Sequence, residues 1–329
     1  MSARERIACL GAGRMGRGIA IVFAYAGHPV DVIDFKPRDA AGLETLRADV
    51  MREVGDTLRM LAQLGMFGEQ DVETITQRVS VIGYDDAASA LGRASVVFEG
   101  IPEVVAMKRE AFAGASAMTA PDAIIASTTS TILVDDLSDS VVRPERFLNA
   151  HWLNPAYLVP LVELSPGKRT DPAVTERLKR LLESVGKVPV VCAPRPGYIV
   201  PRIQALAMNE AARMVEEGVA SAEDLDKAIK YGFGFRFAVL GLLEFIDWGG
   251  GDILFYASRY LTKALESDRY AAPDIIERNM REGRIGLRTG QGFLNYENLD
   301  LDAYRRERLR AFIAMLDQLK LVRPPVLND

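Results

Sequence analysis

A chain of 329 residues, 49% apolar and 26% charged, has the make-up of a globular protein large enough for two domains, each with its own core. Its net charge is -5 and its lysines and arginines are scattered, so there is no basic footprint for nucleic acid. No apolar run approaches the ~20 residues that span a bilayer, so no membrane partner is expected.

The N-terminal stretch Met1–Arg6 carries no signal-peptide pattern and leads straight into an apolar run, so a cytoplasmic protein is expected. Ile7–Leu10 predicts a buried strand containing Cys9. With Cys192, also in an apolar run, it reads as a buried free thiol of a reducing compartment. The strand breaks at Gly11, and Met15, Ile19, Val22 and Phe23 then fall at helical spacing. Gly11, Gly13 and Gly16 form a G-x-G-x-x-G pattern between strand and helix. Gly11 suits a tight turn, Gly13 the approach of a pyrophosphate, and Gly16 close helix packing. A second strand, Val30–Ile33, ends in Asp34, about 20 residues on, where a carboxylate holds ribose hydroxyls and repels a 2′-phosphate. This predicts a site for NAD rather than NADP, with Arg14 and Met15 among its residues. Lys36 and Arg38 would suit a phosphate.

Leu43 to Leu64 keeps helical spacing up to the stop at Gly65, and Glu69–Val79 reads as a short helix. Strands are predicted over Val79–Ile82, Val96–Glu99 and Ile124–Ala126, with Pro102 at the start of a helix. The third strand leads into the hydroxyl-rich Ser127–Thr131, and Phe147–Ala150 delivers His151. This alternation predicts a doubly wound, mostly parallel α/β sheet. Ligands bind outside the carboxyl ends of such strands, so the glycine turn, Asp34, Glu99, Ser130 and His151 should share one edge.

Asn154-Pro155 is a turn signal between two extended segments that could bring His151 and Glu163 together. A carboxylate within the apolar run Leu161–Leu164 needs a partner, and a histidine nitrogen is one. His28, after Gly27, reads as a surface loop residue. No metal-ligand spacing appears. Asp171–Gly186 reads as a helix, Val188–Val191 as a last strand, and the junction Ala193–Gly197 divides the chain into residues 1–193 and an all-helical 194–329. Glycine-rich interruptions at 232–234 and 249–251 separate helices there, and Asp302–Lys320 forms the last one.

Gly11–Gly18, Phe98-Glu99-Gly100-Ile101-Pro102-Glu103, Ser127–Ser130, His151–Glu163, Pro196–Ile199 and Thr289–Phe293 together resemble the 3-hydroxyacyl-CoA dehydrogenase family over nearly the whole chain. The resemblance implies a Rossmann-type NAD-binding domain followed by a helical domain that usually forms a homodimer. It implies a histidine base, His151, held by Glu163, with Ser130 binding substrate and Asn154 a further contact to the reacting oxygen. Glu99 is expected near the nicotinamide, and Lys108 among the cofactor contacts.

Three departures matter. Pro201 stands where the family's P-G-F-x-x-N-R segment has asparagine. The early helix that gives a lysine to CoA phosphates has Arg47, Arg52 and Arg59 instead. Gly232–Ala238 resembles the branch acting on free hydroxy acids, such as L-gulonate 3-dehydrogenase (the lambda-crystallin relatives) and carnitine dehydrogenase. There the arginine, Arg236 here, would face the substrate, and a guanidinium holds a carboxylate through two parallel hydrogen bonds. The expectation is an NAD-dependent dehydrogenase favouring a small free 3-hydroxy acid. The alternatives are a short-chain 3-hydroxyacyl-CoA substrate, or a nucleotide-binding structural or sensory protein.

Overall fold

Eight short apolar runs become the eight strands of one sheet: β1 (Ile7–Leu10), β2 (Val30–Ile33), β3 (Val79–Ile82), β4 (Val96–Glu99), β5 (Ile124–Ser127), β6 (Phe147–Trp152), β7 (Leu161–Pro166) and β8 (Val188–Val191). The computed structural model describes residues 4–327; Met1–Ala3, from the segment read as lacking a signal peptide, lies outside them. The strand order is β3-β2-β1-β4-β5-β6-β7-β8. The first six strands are parallel, β7 runs antiparallel to β6, and β8 is parallel to β7.

Alternate residues of the central strands feed two cores, as a period-two backbone requires. Ile7, Cys9, Val32 and Phe98 pack toward helices Arg14–Tyr25, Ala40–Gln63 and Pro172–Ser184. Ala8, Leu10, Ile33 and Val97 pack toward helix Val105–Met118 on the other face. Burial on both faces explains why β1 and β4 read as near-continuous apolar runs; in β2 the buried Asp31 is paired with Arg6 and Arg93. The order reverses between β1 and β4, which is where a doubly wound sheet opens a ligand crevice.

Four expectations change. The helix after β4 starts at Val105, not Pro102, because Val104 N–H closes a tight turn on Pro102 O at 2.7 Å. His28 is buried: Gly27, at φ +96°, turns the chain back so that the ring meets Phe23 edge-on and Nδ1 reaches Glu5 O. Cys9 is buried, but Cys192 is only half-buried, just beyond edge strand β8. Gly232–Gly234 does not interrupt the helix. A π-helical turn, Ile229–Gly234, carries the winding on into Phe235–Phe237.

The chain forms two compact units, one ending at Met208 and the other starting at Asn209, further along than the Ala193–Gly197 junction. Helix Val200–Glu216 runs through the division. The second unit is helical, with Leu242–Gly249 and Gly251–Ala264 parted at Gly250 (φ +110°), and ends in Leu301–Gln318. Among the described residues, no helix is long and apolar enough to cross a membrane.

Candidate active site

The turn after β1 is built by close approach. Gly11 has φ +110°, and a Cβ on Gly16 would stand 2.1 Å from Gly11 O. Gly13 caps helix Arg14–Tyr25 without a side-chain hydrogen bond, so the first N–H groups are available to an anion. A groove of about 710 Å³ opens here, lined by residues that include Gly11, Gly13, Asp34, Arg38, Gly100 and Met107. Arg14 is exposed at the helix start, and Met15 is half-buried against Gly100. Asp34 is buried at the end of β2 and takes a hydrogen bond from Arg38. Arg38 thus pairs with the carboxylate, which lessens its availability to a phosphate. A glycine turn, an open helix start and an acidic strand end fit a dinucleotide.

Glu99, at the end of β4, is fully buried. One of its oxygens accepts from Lys108 Nζ and Ile101 N–H, both at 2.7 Å, and the other from Ser127 Oγ at 2.6 Å. Lys108 is buried as well, donates also to Ile101 O, and lies 3.4 Å from Glu103. Glu99 and Lys108 therefore pair beneath the loop and spend their hydrogen bonds inside the protein.

Glu103, given no role from sequence, organises the hydroxyl-rich loop. One of its oxygens accepts from Thr129 Oγ1, from the Ser130 and Thr131 N–H groups, and from Thr131 Oγ1. Burial pushes its carboxyl pKa up, but the Thr129 hydrogen bond and the Lys108 charge outweigh this and hold it below the usual value. Ser130, so held by its backbone, has an exposed side chain. The available signal was a carboxylate five residues before the buried lysine.

His151 and Glu163 face each other in the β6–β7 register. Glu163 is fully buried, and its Oε2 lies 2.8 Å from His151 Nδ1. Oε1 accepts the Ile199 and Val200 N–H groups, both at 2.9 Å, at the start of helix Val200–Glu216. These two N–H donors satisfy the carboxylate oxygen that the imidazole does not reach. With Nδ1–H given to Glu163, Nε2 is left as the ring's acceptor. Tyr198 stacks on the imidazole, with ring centroids 5.2 Å apart and planes 17° apart. Asn154 is exposed in the loop after β6. Lys187 anchors that loop, donating to Ala156 O at 2.5 Å and Val159 O at 2.9 Å.

Pro201 sits in the first turn of helix Val200–Glu216, where a missing N–H costs little. Arg52 and Arg59 pair with Asp49 and Asp56 one turn back, and Arg47 with Glu44 and Val81 O. In the second unit Arg236 is exposed. It donates to Gly232 O at 3.1 Å and lies over the Phe245 ring, with no carboxylate partner among the described residues. That unit also holds a buried carboxylate, Asp247, which accepts the Phe293 and Leu294 N–H groups and the Tyr296 hydroxyl. A Cβ on Gly292 would stand 2.0 Å from Asp247 Oδ1, which accounts for the second glycine of Thr289-Gly290-Gln291-Gly292-Phe293.

The sequence model of the 3-hydroxyacyl-CoA dehydrogenase NAD-binding domain matches residues 6–195, and that of the family's C-terminal domain matches 197–296. The 5-formyl-3-hydroxy-2-methylpyridine 4-carboxylate 5-dehydrogenase of Mesorhizobium japonicum is 31% identical, over 94% of this chain and 97% of its own. The 3-hydroxybutyryl-CoA dehydrogenase of Bradyrhizobium diazoefficiens is 32% identical, over 89% and 95%. The crystal structure of a 3-hydroxyacyl-CoA dehydrogenase from Archaeoglobus fulgidus superposes with a TM-score of 0.74 at 29% identity, covering 97% of this chain and 100% of that one.

Proposed function

The chain belongs to the 3-hydroxyacyl-CoA dehydrogenase family, and we propose that it interconverts the 3-hydroxyl and 3-keto forms of a short-chain 3-hydroxyacyl-CoA. It is an NAD-dependent oxidoreductase acting on a CH–OH group. The observation that carries the substrate reaction is the buried His151–Glu163 pair, on the sheet edge that also carries the glycine turn and Asp34.

Gly11, Gly13, Gly16 and the start of helix Arg14–Tyr25 would hold the pyrophosphate of NAD, and Asp34 the adenosine ribose. When bound, NAD supplies the hydride acceptor for the carbinol carbon. His151 Nε2 takes the hydroxyl proton as the carbonyl forms. Imidazole suits this because it takes and gives protons near neutral pH. Glu163 fixes the tautomer through Nδ1 and stabilises the imidazolium that results. Ser130 and Asn154, both exposed on loops at the same sheet edge, supply hydrogen bonds to the reacting oxygen. Glu99 and Lys108 support the reaction from below, by fixing the Ile101 backbone and Ser127.

The sequence pattern alone favours a small free acid. Both matched domain models and the 3-hydroxybutyryl-CoA dehydrogenase relative favour the thioester instead. The free acid remains the second reading on one specific observation, that the Arg236 guanidinium has no carboxylate partner among the described residues, and one relative's name contains a carboxylate. Initial rates of NADH oxidation with acetoacetyl-CoA and with acetoacetate separate the two. The proposal expects the larger kcat/KM for the thioester, unchanged in Arg236→Met. A larger kcat/KM for the free acid, lost in Arg236→Met, would replace it. A homodimer is also proposed: Tyr256, Tyr260, Leu309 and Ile313 leave apolar surface exposed on the second unit's helices, and sedimentation equilibrium tests it.

A further inference from the structure

Tyr198 occupies the position where the family's P-G-F segment has phenylalanine, and its extra hydroxyl is not idle. The phenol donates to Thr129 O at 3.0 Å and accepts from Asn149 Nδ2 at 2.9 Å. Asn149, on β6 two residues before His151, also donates to Ile132 O at 2.9 Å. Thr129 immediately precedes Ser130. One side chain therefore touches the imidazole with its ring and the Ser130 loop with its hydroxyl.

The backbone around it points the same way. Gly197 and Tyr198 both have positive φ, +77° and +43°. A non-glycine residue in that region is uncommon and persists only where its surroundings impose it. The same turn presents the Ile199 and Val200 N–H groups to Glu163. Burial raises the phenol's pKa, so the hydroxyl remains a donor through the neutral range.

We propose that Tyr198 is a positioning residue that holds the His151 imidazole and the Ser130 loop at a fixed separation. Its ring sets the imidazole plane, and its hydroxyl ties that ring to the carbonyl next to Ser130. The inference rests on the proposed roles of His151 as base and Ser130 as hydrogen-bond donor.

Tyr198→Phe keeps the ring and removes the hydroxyl, with its bonds to Thr129 O and Asn149 Nδ2. With acetoacetyl-CoA and NADH, kcat should fall about tenfold, the scale of a lost buried hydrogen-bonding group, while the KM for NADH stays unchanged. Because the tether acts through the Ser130 loop, the loss should shrink to about twofold or less in a Ser130→Ala background. Tyr198→Leu, which lacks the ring too, should be slower than Tyr198→Phe. A wild-type kcat for Tyr198→Phe overturns the proposal. So does the same fold-loss with and without Ser130, or a fall in kcat matched by a raised KM for NADH and a lower melting midpoint. His151→Ala measured alongside tests the underlying reading separately. If that variant keeps wild-type turnover, the assignment of the base fails, whatever Tyr198→Phe does.

Discussion

Glu163 and Asp247 are two buried carboxylates with nearly the same hydrogen bonds and different tasks. Each accepts two consecutive backbone N–H groups, Ile199 and Val200 in one case, Phe293 and Leu294 in the other. Each has one further side-chain partner. At Glu163 it is an imidazole, whose other ring nitrogen can accept a proton; at Asp247 it is the Tyr296 phenol, whose pKa burial raises. Backbone donors make a buried carboxylate tolerable, but they do not make it functional. Its remaining partner, and the sheet edge on which it stands, decide that.

The largest expected effect removes the partner that makes the difference. His151→Ala should lower kcat by about 10²–10⁴-fold, the range of a general base, with NADH affinity nearly unchanged. Steady-state kinetics and NADH fluorescence titration measure the two quantities. Retention of more than about a tenth of turnover would remove His151 from the role of base.

At the other carboxylate the effect should fall on stability. Asp247→Ala leaves the Phe293 and Leu294 N–H groups and the Tyr296 hydroxyl without their acceptor, and should cost about 3 kcal/mol in urea unfolding. Turnover per folded molecule should stay within about twofold, since the hydrogen bonds of Asp247 go to its own turn. Unchanged stability would mean that the Thr289–Phe293 turn holds itself.

A smaller effect is expected at Asp34, a third buried carboxylate whose partner is Arg38. Asp34→Ser releases Arg38 and removes the charge that repels a 2′-phosphate. The ratio of kcat/KM for NADP to that for NAD should rise about tenfold, roughly one charge-assisted hydrogen bond. An unchanged ratio would place cofactor choice elsewhere in the groove.

The same contrast shows what a sequence can disclose. β1 to β6 were legible because each is a short, mostly apolar run closed by a glycine or a polar residue, and a parallel order puts their ends on one edge. The His151–Glu163 pair was legible because a carboxylate in an apolar strand needs a partner, and a turn signal lay midway. Glu103 and Tyr198 were not, since their contacts cross between loops far apart in sequence: Glu103 with Thr129–Thr131, Tyr198 with Thr129 and Asn149. Glu99 reads as a residue near the nicotinamide because nothing in its own strand shows Lys108 folding back onto it. At Gly232–Gly234, glycine's permissiveness was read as a break, where the chain used it for a π-helical turn.

The most direct measurement compares Glu163→Gln with Asp247→Asn, two isosteric changes that keep the shape and remove the charge. The assay is kcat per folded molecule for acetoacetyl-CoA reduction, with the KM for NADH. Glu163→Gln should lose at least about tenfold in kcat with the KM for NADH unchanged, because the imidazolium loses its counter-charge. Asp247→Asn should keep kcat within about twofold while unfolding more easily. Equal kcat losses in the two variants, or none at Glu163→Gln, would contradict the assignment of Glu163 to the chemistry.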